Sequence, residues 1–348
     1  MSKLIVSVLL FGSCLAFCLL TSCKNDPFEG GDFFFLVNKD AQMPVVIRGN
    51  KASGVFILFI HGGPGGTALQ KIGLPAFNDL EKSYATVFWD QRGSGSSQGN
   101  SPDKLLSLDQ FVEDLDKLVD LIRFKYNNPE LFLMGHSWGG CLGTAYLADA
   151  TRQNKIKGWI EVDGAHDNPK GDSLSLHYVT QYAQSQIAGG VEVDFWNYVL
   201  HWYAENPDFT SNQLEHYAFV EKANGYVHDP TVKREPATFP GYSFNYVFAS
   251  PADVTMALTN YNHVIKTFVI SDIDLTSMMQ NITVPSLIVW GKFDGVIPYP
   301  MAQHAFNSLG TNPLNKSIVS LPDSGHVGYY EEPELFAAIV RQFVETYK

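Results

Sequence analysis

The chain of 348 residues is poor in cysteine, in charged residues and in basic clusters. It has four cysteines, 17% charged residues and a formal net charge of −12. It contains no basic run, no internal repeat and no low-complexity tract. Nucleic-acid binding depends on clustered Lys and Arg, so this charge balance argues against a nucleic-acid partner. An apolar share of 45% is ordinary for a globular protein of one large domain or a core with an insertion.

Cysteine is too scarce to build a disulfide framework or a zinc site. Cys14 and Cys18 fall in an N-terminal apolar run and Cys23 follows it, which leaves Cys141 alone in the rest of the chain. No cysteines or histidines have metal-ligand spacing such as H-E-x-x-H. We therefore expect no metal and no cofactor, and we expect Cys141 to be a small packed side chain.

The N-terminal segment has the pattern of an export signal. The apolar run Leu4–Leu20 follows a basic residue, is short for a membrane span and lacks a basic flank at its end. It ends in Leu-Thr-Ser-Cys23, which resembles a bacterial lipoprotein processing site. The sequence therefore predicts a signal peptide over residues 1–22 and a tether over residues 23–32. We expect an exported protein that is attached to a membrane through lipidated Cys23.

Beyond the tether, short β-rich runs alternate with helical patterns. Several runs are apolar at nearly every position, which is typical of parallel strands buried on both faces. A capping box between Ser107 and Gln110 predicts the start of one helix, and Glu331–Tyr347 is predicted to close the chain as another. These patterns predict an α/β fold with a mostly parallel sheet and helices on both faces. The strand candidates are Val45–Arg48, Val55–Ile60, Thr86–Trp89, Leu131–Met134, Gly158–Val162, Pro285–Trp290 and Ser317–Leu321.

The alternation stops between two of the core strands. Residues 166–277 are helical in pattern and dense in aromatic side chains, most of which we expect to pack against one another. We interpret this segment as a helical lid inserted over the carboxyl edge of the sheet. The core of the fold then comprises residues 33–165 and 278–348.

The strongest chemical signal is Gly135-His-Ser137-Trp-Gly139, between an apolar strand and a helix rich in small residues. A nucleophile elbow needs a tight strand-to-helix turn that holds the serine in strained backbone geometry. Glycines are needed on either side because larger side chains would collide with the neighbouring strand or helix. An ordinary β–α turn is the alternative interpretation, and the local context favours Ser137 as a nucleophile.

A second signal is the glycine-rich loop His61–Gly66, which directly follows a predicted strand. Backbone amides in such a loop can converge on the small space where an oxyanion forms. We predict that the backbone N–H groups of Gly63 and Trp138 form this oxyanion hole, while His61 braces the loop. A phosphate-binding loop is disfavoured because its characteristic lysine pattern is missing.

An acid and a histidine follow the serine in the order expected of a catalytic triad. Asp294 comes just after a buried strand, and His326 comes after the last strand. Both should project from the same sheet edge as Ser137. The imidazole would take the serine proton, and the carboxylate would fix the imidazole tautomer. Asp323 is the alternative acid, although its closeness to His326 in sequence favours a role in the loop.

Together these motifs resemble those of the α/β-hydrolases that include the prolyl aminopeptidases. His61–Gly65, Asp90–Gly95 and Gly135–Gly140 are similar to the three core motifs of that family, and Asp294 and His326 fall on its acid and histidine positions. The resemblance implies the α/β-hydrolase fold and a serine hydrolase that works through an acyl-enzyme. It also implies an aminopeptidase that releases proline or other small N-terminal residues from short peptides.

Two features depart from the aminopeptidase pattern. The elbow reads Gly-His-Ser137 where those enzymes usually have Gly-Gly-Ser, and Gly-His-Ser is common in esterases. Those enzymes also bind the substrate amine with lid glutamates, often just before the lid returns to the core, and Ile265–Phe268 has no acid. Glu215 is our candidate for this role, with Glu205 and Glu221 as alternatives.

The same residues bear on alternative functions. Hydrolysis of small hydrophobic esters stays open as a second function, so the expected substrate is a small peptide or a small ester. Epoxide hydrolases and dehalogenases are disfavoured because their nucleophile is an aspartate, whereas this elbow carries Ser137. A non-catalytic binding protein is disfavoured because the chain retains a complete triad.

Overall fold

The structure is a computed structural model. It describes residues 31–99, 102–229, 231–232, 237–239, 242–243, 259–260, 262–268 and 270–348. The predicted signal peptide, Cys23 and most of the predicted tether lie outside these residues. Within the described ranges, no helix combines the length and apolar character that a membrane span requires.

The described strands are β1 (Asp32–Asn38), β2 (Ala41–Gly49), β3 (Val55–Ile60), β4 (Ala85–Trp89), β5 (Glu130–His136), β6 (Gly158–Val162), β7 (Ala237–Phe239), β8 (Tyr242–Ser243), β9 (Ser286–Gly291) and β10 (Lys316–Leu321). Eight of them form one sheet in the order β1-β2-β4-β3-β5-β6-β9-β10, and β7 pairs with β8 separately. The β1–β2 and β2–β4 pairs are antiparallel, and the other neighbours in the large sheet are parallel. The prediction of a mostly parallel sheet is thereby confirmed.

Helices cover both faces of the sheet, as predicted. In β3, Leu58 points to one apolar core and Phe59 points to the other. The first core includes residues of the helices Leu108–Lys125, Trp138–Leu147 and Pro300–Ser308. The second includes residues of the helices Pro75–Glu81 and Pro333–Tyr347. The helices are α1 (Pro75–Glu81), α2 (Leu108–Lys125), α3 (Trp138–Leu147), α4 (Ala150–Gln153), α5 (Asn168–Ala188), α6 (Val193–Glu205), α7 (Gln213–Lys222), α8 (Thr276–Met279), α9 (Pro300–Ser308), α10 (Gly328–Glu331) and α11 (Pro333–Tyr347); residues 262–267 are also helical.

Strand β1 was not among the predicted strands. Its sequence, DFFFLVN, is apolar on both faces, and Phe33 and Phe35 on its outer face are partly exposed. It forms the edge of the sheet by pairing with β2 along its whole length. The predicted tether therefore overlaps the sheet at its first residue, Asp32. The sequence did not predict this strand, because the run lacks the apolar–polar alternation of an edge strand and lies close to an export signal.

Two helix starts in the structure differ from the predicted ones. The Ser107 hydroxyl caps α2 by accepting from the Gln110 backbone N–H at 3.3 Å. The Gln110 side chain donates to Asp114 at 3.1 Å, so only one half of the predicted capping box forms. The closing helix begins at Pro333 because Glu332, with φ −124° and ψ 59°, interrupts the helical run after Glu331.

Between β6 and β9 the chain forms α5, α6 and α7, in the region where the sequence predicts a helical lid. We call residues 166–277 the inserted segment. Its two ends lie together, because the Leu275 N–H donates to the His166 carbonyl at 2.8 Å and the Asn168 N–H donates to the Ile273 carbonyl at 2.9 Å. Of its aromatic side chains, Trp196 is buried, whereas Tyr198 is exposed.

Candidate active site

Ser137 occupies the turn between β5 and α3. Its backbone has φ 55° and ψ −122°, a region that L-residues rarely adopt and that marks functional sites when the surrounding structure maintains it. Its N–H donates to the Val162 carbonyl at 3.0 Å, and its own carbonyl accepts from Gly140 at 2.8 Å and from Ala165 at 3.0 Å. The Ser137 residue itself is partly exposed at the carboxyl edge of the sheet.

The glycines around Ser137 permit this turn. A Cβ atom on Gly135 would lie 2.3 Å from the Gly139 carbonyl oxygen. A Cβ atom on Gly139 would lie 2.0 Å from the Ile60 carbonyl oxygen. Both distances are far below a normal contact, so the close approach of elbow, helix and β3 requires glycine at each position.

The structure brings Asp294 and His326 together at the same edge. His326 Nδ1 and Asp294 Oδ2 are 2.7 Å apart, and both side chains are almost completely buried. Asp294 Oδ1 accepts from the backbone N–H groups of Val296 at 2.7 Å and Ile297 at 2.9 Å. These bonds fix the carboxylate so that it can accept from Nδ1–H and leave Nε2 free of a proton. Burial lowers the pKa of His326 to about 3, so the imidazole is neutral when no substrate is bound.

Asp323, the alternative acid, lies in a different environment. Its side chain is exposed, and its backbone N–H donates to Glu332 Oε2 at 2.9 Å. It therefore contributes to the loop that precedes His326, while Asp294 makes the contact with the imidazole.

The loops that carry Asp294 and His326 are fixed by the inserted segment and by Glu331. The Gly295 N–H donates to the Gly225 carbonyl at 2.8 Å, and the His326 N–H donates to the Tyr226 carbonyl at 2.9 Å. Glu331 accepts three backbone N–H bonds, one from Gly325 in the loop that carries His326, which we call the histidine loop, and two from the inserted segment. Sequence reasoning missed Glu331, because nothing near it in the chain indicates these distant partners.

The glycine-rich loop packs directly against Ser137. A Cβ atom on Gly62 would lie 3.0 Å from the Ser137 Cβ. Behind the loop, the Gln91 N–H donates to His61 Nε2 at 3.1 Å, and His61 Nδ1–H therefore donates to the Gly62 carbonyl at 2.7 Å. The Gln91 amide also accepts from the Trp138 indole at 2.9 Å. His61 thus contacts the loop as a brace, and burial lowers its pKa.

His136, the residue by which the elbow departs from Gly-Gly-Ser, contacts the histidine loop. Its Nε2 lies 2.8 Å from the His326 carbonyl oxygen, and the two rings are 4.8 Å apart. Burial lowers the pKa of His136 well below its usual value, so the neutral ring donates Nε2–H to that carbonyl. The elbow and the loop of the base are therefore directly hydrogen-bonded.

The predicted amine ligands lie on the outside of the inserted segment. Glu215 is exposed and accepts from the Tyr198 hydroxyl at 3.4 Å. Glu205 is 64% exposed and pairs with His201, and Glu221 is also exposed. The structure does not bring any of the three into contact with Ser137, Asp294 or His326.

Asp172 in α5 differs from these three glutamates in its burial. Its side chain is mostly buried, and burial raises its pKa to about 7. Among the residues that the structure describes, none donates a hydrogen bond to this carboxylate. Its helix packs against the loop that carries Asp294, which we call the acid loop, since the Ser175 hydroxyl, one turn further along the helix, donates to the Gly295 carbonyl.

Cys141 is buried in α3, and burial raises the pKa of its thiol, so it packs as a small side chain. Within the described parts of the chain, no three His, Cys, Asp or Glu side chains are grouped so that they could hold a metal ion.

The chain belongs to the α/β-hydrolase-fold family, whose model matches residues 55–333. It is similar to the proline iminopeptidase of Heyndrickxia coagulans, with 26% identity over 84% of this chain and 91% of that protein. The proline iminopeptidase of Saccharolobus solfataricus is 24% identical over 85% of this chain and 86% of its own. The crystal structure of the Mycobacterium smegmatis proline iminopeptidase has a TM-score of 0.61 at 15% identity, covering 91% of this chain and 98% of that one. The predicted fold and the resemblance to prolyl aminopeptidases are confirmed.

Proposed function

We propose that this α/β-hydrolase is a serine hydrolase that uses Ser137, His326 and Asp294 as its triad. The observation that carries the proposal is the buried 2.7 Å contact between His326 and Asp294 at the sheet edge where the strained Ser137 turn lies. A serine hydroxyl is a weak nucleophile until a positioned base removes its proton. The paired imidazole supplies that base.

The chemical steps follow from these positions. Ser137 Oγ attacks the substrate carbonyl carbon while its proton moves to His326 Nε2. Asp294 accepts from Nδ1–H and stabilises the imidazolium that forms. The N–H groups of Gly63 and Trp138 stabilise the oxyanion, and His326 then protonates the leaving group. Water hydrolyses the acyl-enzyme by the same steps in the second half of the reaction.

The substrate that we propose is a short peptide with a free N-terminal proline or another small residue. The similarity to proline iminopeptidases, which extends over more than four-fifths of the chain, supports it. An ammonium group that enters a closed site needs a carboxylate to replace its hydration. Asp172 replaces Glu215 as our candidate for that carboxylate, because it is mostly buried and lies on a helix that packs against the acid loop.

Hydrolysis of small hydrophobic esters is the second candidate function. The exposed position of Glu215 favours it, because an ester that lacks an amine needs no acid in the inserted segment.

A substrate panel separates the two functions. We expect the enzyme to cleave proline and alanine arylamides, and we expect Asp172→Asn to raise their KM about tenfold while leaving an amine-free p-nitrophenyl ester unchanged. Glu215→Gln is the matched control and should alter neither substrate. Ester cleavage without measurable arylamide cleavage by the unmodified enzyme would contradict the aminopeptidase proposal and support the esterase.

A further proposal concerns location. We propose that the protein is exported and attached to a membrane through lipidated Cys23. The Leu-Thr-Ser-Cys23 sequence after the apolar run supports this, and so does the position of β1, which begins nine residues after Cys23.

A further inference from the structure

Asp163 is a second buried acid next to the candidate catalytic acid. It directly follows β6, its side chain is completely buried, and its φ of 46° lies in the left-handed region. Its Oδ1 accepts from the Gly291 N–H at 2.8 Å. Its Oδ2 is buried, and no N–H or hydroxyl among the described residues donates to it. A buried carboxylate oxygen without a donor is costly, so this oxygen requires a proton of its own.

Asp163 and Asp294 both bond to Gly291, whose N–H donates to Asp163 Oδ1 at 2.8 Å and whose carbonyl accepts from the Asp294 N–H at 3.3 Å. The two buried side chains are therefore neighbours, and each alters the pKa of the other. Two buried carboxyl groups in contact do not both ionise, so they share one proton. Asp294 already accepts two backbone N–H groups and the His326 Nδ1–H. Asp163 accepts a single backbone N–H. The negative charge is therefore better stabilised on Asp294, and the proton belongs on Asp163.

We propose that Asp163 is a positioning residue that carries the shared proton and donates it to Asp294. The proposal rests on the proposed triad, in which Asp294 must be an ionised acceptor. A donor from Asp163 stabilises that ionised form and holds the carboxylate in the orientation that His326 needs.

The surroundings of the pair agree with this assignment. Burial raises the pKa of Asp163 well above its usual range, and the adjacent Asp294 raises it further. Burial also raises the pKa of Asp294, whereas its backbone hydrogen bonds and the bond from Asp163 lower it. The charge of Glu331 raises the pKa of both acids, and the tyrosines nearby stay neutral because burial raises theirs. The titratable groups that face the pair are His326, Glu331, Tyr178 and Tyr329.

Two substitutions at Asp163 test the proposal, because both tolerate a positive φ. Asn keeps a donor for Asp294 and an acceptor for Gly291, whereas Gly removes both groups. We expect Asp163→Asn to keep kcat/KM for a p-nitrophenyl ester within about threefold of the unmodified enzyme. We expect Asp163→Gly to lower it at least about tenfold, the cost of one lost hydrogen bond to a charged group. The acid limb of the pH profile should move to higher pH in Asp163→Gly only, because Asp294 then protonates more easily.

Infrared difference spectroscopy observes the proton directly. We expect a carboxylic-acid C=O band at pH 7 that disappears in Asp163→Asn and persists in the control Asp323→Asn. This band reports the proton whether or not Ser137 is the nucleophile, and Ser137→Ala reports the nucleophile whether or not Asp163 is protonated. Two results would overturn the proposal: an Asp163→Asn variant as inactive as Asp294→Asn, or a spectrum at pH 7 that Asp163→Asn leaves unchanged.

Discussion

Asp294 lies close to His326 in space and Asp323 lies close to it in the chain, and the surroundings of their carboxyl groups differ. Asp294 is buried and contacts the imidazole, whereas Asp323 is exposed. An acid that fixes an imidazole tautomer acts only through a direct hydrogen bond to the ring. The two residues therefore form a matched pair for substitution.

We predict that Asp294→Asn lowers kcat by about 10⁴-fold, because an amide at this position favours the wrong imidazole tautomer. Asp323→Asn should leave kcat within about twofold, since an exposed loop residue has little effect on the reacting atoms. Steady-state kinetics on one ester and one arylamide measure both variants. A larger loss in Asp323→Asn than in Asp294→Asn would show that the acid is misassigned.

At the scale of structural elements, the candidate site depends on loops that are held together from a distance. The two oxygens of Glu331 accept from Gly325 at 2.7 Å, from His228 at 2.6 Å and from Asp229 at 3.1 Å. The carboxylate thus joins α10 to the histidine loop and to the inserted segment. Burial raises the pKa of Glu331, and these backbone hydrogen bonds lower it.

We predict that Glu331→Gln lowers both stability and activity. Replacing one oxygen by an NH₂ group places a donor against a backbone donor, which costs about 1–3 kcal/mol of unfolding free energy. We expect a lower Tm and a loss of kcat of about tenfold as the histidine loop loosens. Glu334→Gln, an exposed acid in the first turn of α11, is the control and should change neither quantity. Unchanged kcat in Glu331→Gln would show that this contact does not position the base.

The strands and the candidate triad show how much of the fold and the site the sequence can predict. Each of the seven strand candidates overlaps a strand. The signal is clearest in β3 and β9, which are buried at every position and parallel to their neighbours, because such strands are continuous apolar runs. The order of serine, acid and histidine could also be predicted, since each residue follows a predicted strand. The contacts of His136 with His326 and of Asp163 with Asp294 were not, because their partners lie more than 100 residues away. Only the folded sheet brings them together.

At the scale of the whole molecule, a short tether would join the proposed lipid anchor to the enzyme. Asp32, the first residue of β1, lies nine positions after Cys23. Even fully extended, this length spans only about 30 Å, so an anchored enzyme would stay close to the bilayer surface. Its substrates would then be small molecules on the exported side of that membrane.

We predict that Cys23→Ser leaves the protein without lipid. Cells grown with a labelled fatty acid should label the unmodified protein and not the variant, because acylation needs the thiol. Cys141→Ser is the control and should still be labelled, since Cys141 is buried in the fold. Label incorporated into Cys23→Ser would contradict the lipoprotein proposal.

Active-site labelling with a fluorophosphonate, followed by peptide mapping, shows which serine is the nucleophile. Such reagents react with a serine that an adjacent base activates. We predict stoichiometric label on Ser137, complete loss of hydrolysis in the labelled enzyme, and neither label nor activity in a folded Ser137→Ala variant. Label on a different residue, or a Ser137→Ala variant that keeps even about a tenth of the activity, would contradict the account.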